Sequence, residues 1–475
     1  MVFSSYLFIF LFLPVFLSLY QVTPALWKNA LILLASMAFY YYGDHAGTWV
    51  LLCSVVGNFA FGRCITATRD GGNPHAPSPI SRRWLIGGIV FNLGLLAYFK
   101  YIGFLTHNLD AIGAWFGRPE LVPAINAALP LGISFFAFQG ISYLIDVYRG
   151  TIDASRSLLQ FATYKTLFPQ LIAGPIVRYK DVAAELRERS VDDAQRYEGT
   201  RRFVIGFCKK VLIADTVAVT ADAIFHLPAD QLTFGTAWLG VVAYSLQIYF
   251  DFSAYSDMAI GLGMLMGFRF PENFNYPYIS TSIREFWRRW HMTLSSWFRD
   301  YVYISLGGNR AGPLRTYANL LIVFALTGLW HGAAWTFVAW GLWHGLFLVI
   351  ERAIDFERRA VPTAVRHLYV LLVVVFGWAL FRADGFDHAL HFASAMIGFG
   401  ATNPAHPTAE FLNPLQTFSI IAGLIFALPV YPWLSARLAP RAAAWIGAPA
   451  FASLFTIASA KVLSGAYSPF LYFRF

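Results

Sequence analysis

Runs of about twenty consecutive apolar residues recur from one end of this chain to the other, and they constrain its fold more than any other feature. A helix that crosses a bilayer needs a run of that length. Segments that qualify lie near 5–23, 26–43, 48–66, 84–105, 128–148, 203–225, 233–252, 316–334, 335–350, 367–382, 414–434 and 444–463. Some are marginal in length, which sets the expected number of spans at eleven or twelve. Composition agrees, with 57% of the residues hydrophobic and 13% charged, against roughly 25% charged in a soluble domain. Such a chain cannot cover a water-facing surface with polar groups. The expectation is an all-α polytopic membrane protein.

The 35 Lys and Arg against 26 Asp and Glu leave a net charge of +9. In a soluble protein that excess would suggest nucleic acid. Here the basic residues cluster between apolar spans, which is the positive-inside pattern, and no nucleic-acid partner is expected. Arg69, Arg82 and Arg83 place the 67–83 loop in the cytoplasm. Alternation then puts Lys28 inside, the Asp44-His45 turn outside, and Arg149, Arg156 and the stretches 178–202 and 269–315 inside. The N-terminus falls outside. Met1 to Tyr20 lacks the positive start and small-residue cleavage site of a signal peptide and reads as a retained first span. Cys53, Cys64 and Cys208 have no paired spacing and read as small buried hydrophobes.

Two apolar segments break the alternation if counted as spans. One is 157–177, with Phe168-Pro169-Gln170 and Gly174-Pro175; the other is 254–268, rich in Gly and Met. Both read as re-entrant or interfacial helices, tolerated at depth only where protein or a cavity surrounds them, which argues for an internal chamber. No fixed-period repeat is evident. The Pro74, Pro77 and Pro79 loop at 70–81 is the one linker-like piece, so residues 1–475 read as a single domain.

Ionisable groups inside apolar spans are costly and mark candidate sites. His331, in Leu326-Thr327-Gly328-Leu329-Trp330-His331-Gly332, ends one apolar run and precedes another. It is either a histidine satisfied within the bundle or a general base, since imidazole titrates near neutrality. In Glu285-Phe286-Trp287-Arg288-Arg289-Trp290-His291, followed by Arg299 and Asp300, the Trp and Arg suit a membrane-interface helix. The guanidiniums equally suit an anionic phosphate. The interface reading accounts less well for His291 and Glu285. In the run Gln247 to Asp257, the acids Asp251 and Asp257 flank Ser253 among aromatics, and pairing with the arginines of the following loop is the favoured reading. Gln139, Ser142, Tyr143 and Asp146 share one span; they either bond across helices or line a polar tunnel. His344, in an echo of the His331 motif, reads as structural. Lys100, Lys209 and Lys210 sit near span ends, where they can snorkel.

No His or Cys pair has metal-ligand spacing, and neither a Walker-type phosphate loop nor a Gly-x-Ser-x-Gly elbow is present. Several stretches, however, carry a family resemblance. They are Met1 to Ser5, Gly132 to Gly150, Leu171-Ile172-Ala173-Gly174-Pro175 and Gln247 to Gly261. Further along come Glu285 to Asp300, Gly307-Gly308-Asn309-Arg310, Gly328 to Gly332 and the closing Ser468 to Phe475. They follow in order across nearly the whole chain, and the specificity lies in the set. The chain resembles the membrane-bound O-acyltransferases (MBOAT), and within them the branch whose membrane subunit O-acetylates alginate and related bacterial exopolysaccharides.

That resemblance implies a helical fold around a central chamber open to both faces, in a bacterial inner membrane. It carries a catalytic role onto His331. The family's second polar position falls on His291, where other branches carry Asn or Asp, a departure shared with the polysaccharide-modifying and D-alanylating branches. The implied donor is a cytoplasmic thioester, acetyl-CoA, its phosphates drawn by Arg288, Arg289 and Arg299. His331 would take the hydroxyl proton and His291 or a nearby donor steady the oxyanion, with Trp287 and Trp330 lining the site beside them. The implied acceptors are periplasmic partner proteins of a polysaccharide-modifying system. D-alanyl transfer to teichoic acid, acetylation of peptidoglycan or cellulose, and more distantly a polysaccharide transporter are the alternatives.

Overall fold

A computed structural model of the chain describes residues 3–69, 78–118, 122–123, 125, 127–310, 312–402, 406–437 and 440–465. Pro74, Pro77 and the closing Ser468 to Phe475 motif lie outside them. The described residues form helices and connecting turns, with no strand among them. Length and apolarity together single out three helices able to cross a bilayer, namely His45–Ala67, Pro79–Trp115 and Thr363–Arg382. At 1.5 Å rise per residue, their 23, 37 and 20 residues each reach the roughly 30 Å of a hydrocarbon core. Phe8–Val22, Ile133–Tyr148, Pro414–Phe426 and Pro449–Leu463 are apolar but shorter.

The chain divides into two compact units, Met1–Gly199 with Ala259–Pro271, and Thr200–Met258 with Glu272–Phe475. In the first, Asn58 and Asn92 exchange side-chain hydrogen bonds of 3.0 and 2.8 Å between two long helices. A methyl at Gly140 would lie 2.6 Å from both amide oxygens, so a glycine there lets the Ile133–Tyr148 helix approach the pair. The 157–177 segment is broken as expected. Helix Leu158–Thr166 gives way at Leu167 to the single turn Phe168–Leu171 and then to non-helical chain.

The other segment expected to break does not. Residues 254–265 continue the preceding span in one helix, Phe234–Leu265, of 32 residues. Gly261 and Gly263 lack the proline that would remove a backbone donor, and isolated glycines cost a helix only about 1 kcal/mol each. The cysteines also differ from expectation, since Cys53 is exposed and Cys64 and Cys208 are half-buried, all three as free thiols. An apolar run does not reveal which face of its helix turns outward.

In the second unit the Gly312–His331 and Trp335–Ala353 helices form a tight hairpin. A methyl at Gly328 would lie 2.1 Å from the Phe337 carbonyl oxygen, and one at Gly341 2.1 Å from that of Phe324. The two backbones therefore touch, as small residues permit between membrane helices. Gly341→Ala is expected to cost about 1–3 kcal/mol through overpacking. Thermal unfolding of the purified protein checks this; a transition at the wild-type temperature would show that the helices separate freely.

Candidate active site

The hairpin delivers His331 to its position. The residue is the last of its helix, 8% exposed, and its ring meets Trp340 edge-on at 5.1 Å and Phe381 at 5.4 Å. The carbonyl end of a helix also tolerates positive charge well, which suits a side chain that takes up a proton.

His291 arrives by a different route. It stands between two short helices, Ile283–Arg289 and Met292–Phe298, in the left-handed region at φ 42°. A residue with a Cβ pays about 1–2 kcal/mol for that conformation, and such strain persists where surrounding contacts over-determine it. Those contacts are explicit. The imidazole is fully buried, edge-on to Phe252 at 4.6 Å and 5.9 Å from the Trp330 ring. Its Nδ1 lies 3.0 Å from Asn273 Oδ1. Burial, with His331 nearby, holds its pKa well below the usual histidine range, so the ring is neutral. The rings of His291 and His331 are 6.5 Å apart at 62°. Two residues forty positions apart in sequence thus face one buried spot.

The remaining predicted residues separate into groups. Trp330 and Trp287 belong to the aromatic wall. Trp287 packs edge-on against Phe324 at 5.1 Å and lies 5.7 Å from Trp340 and 5.3 Å from His344. His344 is fully buried in that wall, as a structural residue would be. Glu285 serves the backbone. Burial raises its carboxyl, but hydrogen bonds from Thr281 and Arg289 outweigh this and hold it below the usual range. Arg289 bonds Glu285 at 2.9 Å and Arg299 bonds Asp300 at 2.7 Å; Arg288 is exposed and makes no ion pair among the described residues.

The two acids of the 247–257 run do not pair with the arginines of the next loop. Asp251 meets Lys210 at 2.6 Å, and Asp257 meets Arg202 at 3.0 Å and Lys209 at 2.8 Å. The cations come from the preceding helix, whose π-helical turn Lys209–Ala214 offers adjacent lysines to two acids six residues apart. Lys210 consequently does not snorkel; it is 3% exposed. Ser253 is buried, and no partner for its Oγ occurs among the described residues. Gln139, Ser142 and Tyr143 belong to the first unit and are buried there. Ser142 Oγ donates to the Gln139 carbonyl at 3.1 Å, and Tyr143 Oη accepts from the Ser155 amide at 3.0 Å. Asp146 pairs with Lys180 at 3.4 Å.

Sequence reasoning passed over three residues of the second unit. Asn273 sits in a loop with no periodicity to flag it. Trp340 and Glu351 looked like ordinary helix residues, yet Glu351 accepts the Ile283 and Arg284 amides at 2.6 and 3.1 Å and so caps the helix leading to His291.

Known proteins resemble this chain over much or all of its length. Residues 151–386, which include both histidines, match the model of the membrane-bound O-acyltransferase family. The chain is 43% identical to the probable alginate O-acetylase AlgI of Azotobacter vinelandii over the whole length of both. It is 46% identical to that of Pseudomonas aeruginosa over 89% of this chain and 79% of the relative. Identity to the peptidoglycan O-acetyltransferase of Helicobacter pylori is 35%, over 91% and 87%. With a relative this similar from end to end and the paired histidines inside the matched region, the chain belongs to the membrane-bound O-acyltransferase family and is an acyltransferase of the membrane.

Proposed function

We propose that this protein transfers an acetyl group from cytoplasmic acetyl-CoA across the bacterial inner membrane, for O-acetylation of an exopolysaccharide such as alginate. The observation that carries the chemistry is the buried pair His291 and His331, 6.5 Å apart. The polymer is suggested by end-to-end similarity to proteins named as alginate O-acetylases. In this reading the acceptor's hydroxyl gives its proton to His331 and its oxygen bonds the acetyl carbon. The carbon–sulfur bond breaks, and the departing thiolate collects the proton. Arg288 attracts the donor's phosphates from the cytoplasmic side. The acceptor is a hydroxyl presented by a periplasmic partner that completes the transfer. Eleven or twelve spans cross the membrane, with the 157–177 segment re-entrant and the N-terminus in the periplasm.

Deleting the gene and assaying ester-linked groups on the cell envelope and secreted polymer tests this. Loss of acetate from the secreted polysaccharide is the expected result. Loss of acetate from peptidoglycan, or of D-alanine from teichoic acid, would move the protein to another branch of the family. Unchanged esters with altered polymer export would indicate transport instead.

A further inference from the structure

The hydrogen bonds around Asn273 decide which nitrogen of His291 carries the proton. Asn273 Oδ1 receives the Thr293 backbone N–H at 3.3 Å and the Thr293 hydroxyl at 2.8 Å. A backbone N–H can only donate, so the Asn273 atom facing it must be the carbonyl oxygen. The amide nitrogen turns the other way and donates to Ser256 Oγ at 3.0 Å. The Asn273 backbone carbonyl accepts the Met292 amide at 3.0 Å, which ties this loop to the strained residue's neighbour. Asn273 is fully buried.

His291 Nδ1 faces this oxygen at 3.0 Å and must therefore bear the hydrogen. A neutral imidazole has one N–H and one lone pair, so Nε2 is left as a lone pair. Nε2 is buried, with no hydrogen-bond partner among the described residues. An unpaired buried acceptor costs about 1–3 kcal/mol and marks a group held for something that arrives during the reaction. The titratable group acting on the ring is His331; the rings of Phe252, Phe274 and Trp330 that surround it carry no charge. A lone pair cannot steady an oxyanion. It can receive a hydrogen bond.

We propose that Asn273 is a positioning residue for acyl transfer: it locks the His291 proton on Nδ1, so that Nε2 accepts a hydrogen bond from a bridging water that in turn accepts the N–H of His331 once His331 has taken the hydroxyl proton. This rests on the reading of His331 as the base. The order Asn273, His291, His331 repeats the logic of a nucleophile's base oriented by a third group. The ring separation of 6.5 Å admits one bridging oxygen between ring nitrogens at ordinary hydrogen-bond lengths of about 2.8 Å. His291 thereby stabilises the charged base, and oxyanion stabilisation falls to other donors.

Histidine-nitrogen NMR of the purified, isotope-labelled protein in lipid tests this. The His291 signal is assigned by difference against His291→Gln among the 11 histidines. Wild type should show His291 protonated at Nδ1, and Asn273→Leu should move the proton to Nε2. In membranes of equal protein abundance, Asn273→Leu should slow label transfer from acetyl-CoA about 10- to 100-fold, the range for losing an orienting partner. Asn273→Asp keeps an acceptor oxygen and should restore most of the rate. Its carboxylate favours the charged imidazole, so its optimum should move to higher pH. A wild-type His291 protonated at Nε2, or an Asn273→Leu rate equal to or above wild type, would overturn the proposal and return His291 to the oxyanion. His331→Ala serves as the separate control. If it transfers label as fast as wild type, the reading of the base fails, whatever the tautomer of His291.

Discussion

His331→Ala is expected to abolish acetylation of the polymer while the protein still accumulates in the membrane. A general base contributes about 10²–10⁴-fold, and the neighbouring imidazole is poorly placed to substitute. His291 is held neutral by burial and anchored through Nδ1 to Asn273. Folding should survive, because His331 ends its helix and the hairpin is held by the Gly328 and Gly341 backbone contacts rather than by the imidazole. Ester-linked acetate per unit of membrane-embedded protein is the measurement. Wild-type acetylation by the alanine variant would remove His331 from the chemistry.

Lys210→Met is expected to have the largest effect on stability. The ammonium lies 2.7 Å from Asp215 and 2.6 Å from Asp251, with all three side chains 4% exposed or less. Removing the cation leaves two buried carboxylates without this partner, and breaking such a pair costs about 3–5 kcal/mol. That is a large share of the 5–15 kcal/mol by which domains are ordinarily stable. The variant should therefore be nearly absent from membranes. Combining it with Asp215→Asn and Asp251→Asn removes the unpaired charges and should recover most of the protein. The comparison is immunoblot abundance together with unfolding temperature in detergent. A single variant as abundant and heat-resistant as wild type would show that the triad does not hold the fold.

The contrast between His331 and Lys210 shows what a linear reading can reach. His331 was legible because an ionisable residue at the end of an apolar run is conspicuous in any register. Lys210 was read as a span-end lysine free to snorkel, since its partners are five and forty-one positions away and nothing in the pattern joins them. The same blindness sent Asp251 and Asp257 to the wrong arginines. Sequence order favours the next loop, whereas a π-helical turn at Lys209–Ala214 brings the preceding helix alongside.

The amino-acid sequence by itself determined that this chain is helical and belongs in lipid. Those properties depend on the length of apolar runs and on net composition, both of which are local sums. It also marked the two histidines and, through motifs in order, the family. Tertiary structure alone decided that those histidines share one buried spot, because the distance between residues 291 and 331 is set by a glycine hairpin and a capped short helix. It decided that Asn273 governs the His291 tautomer, because a hydrogen bond's direction follows from what else its acceptor already holds. Proton placement is a property of the whole network, and no stretch of sequence contains it.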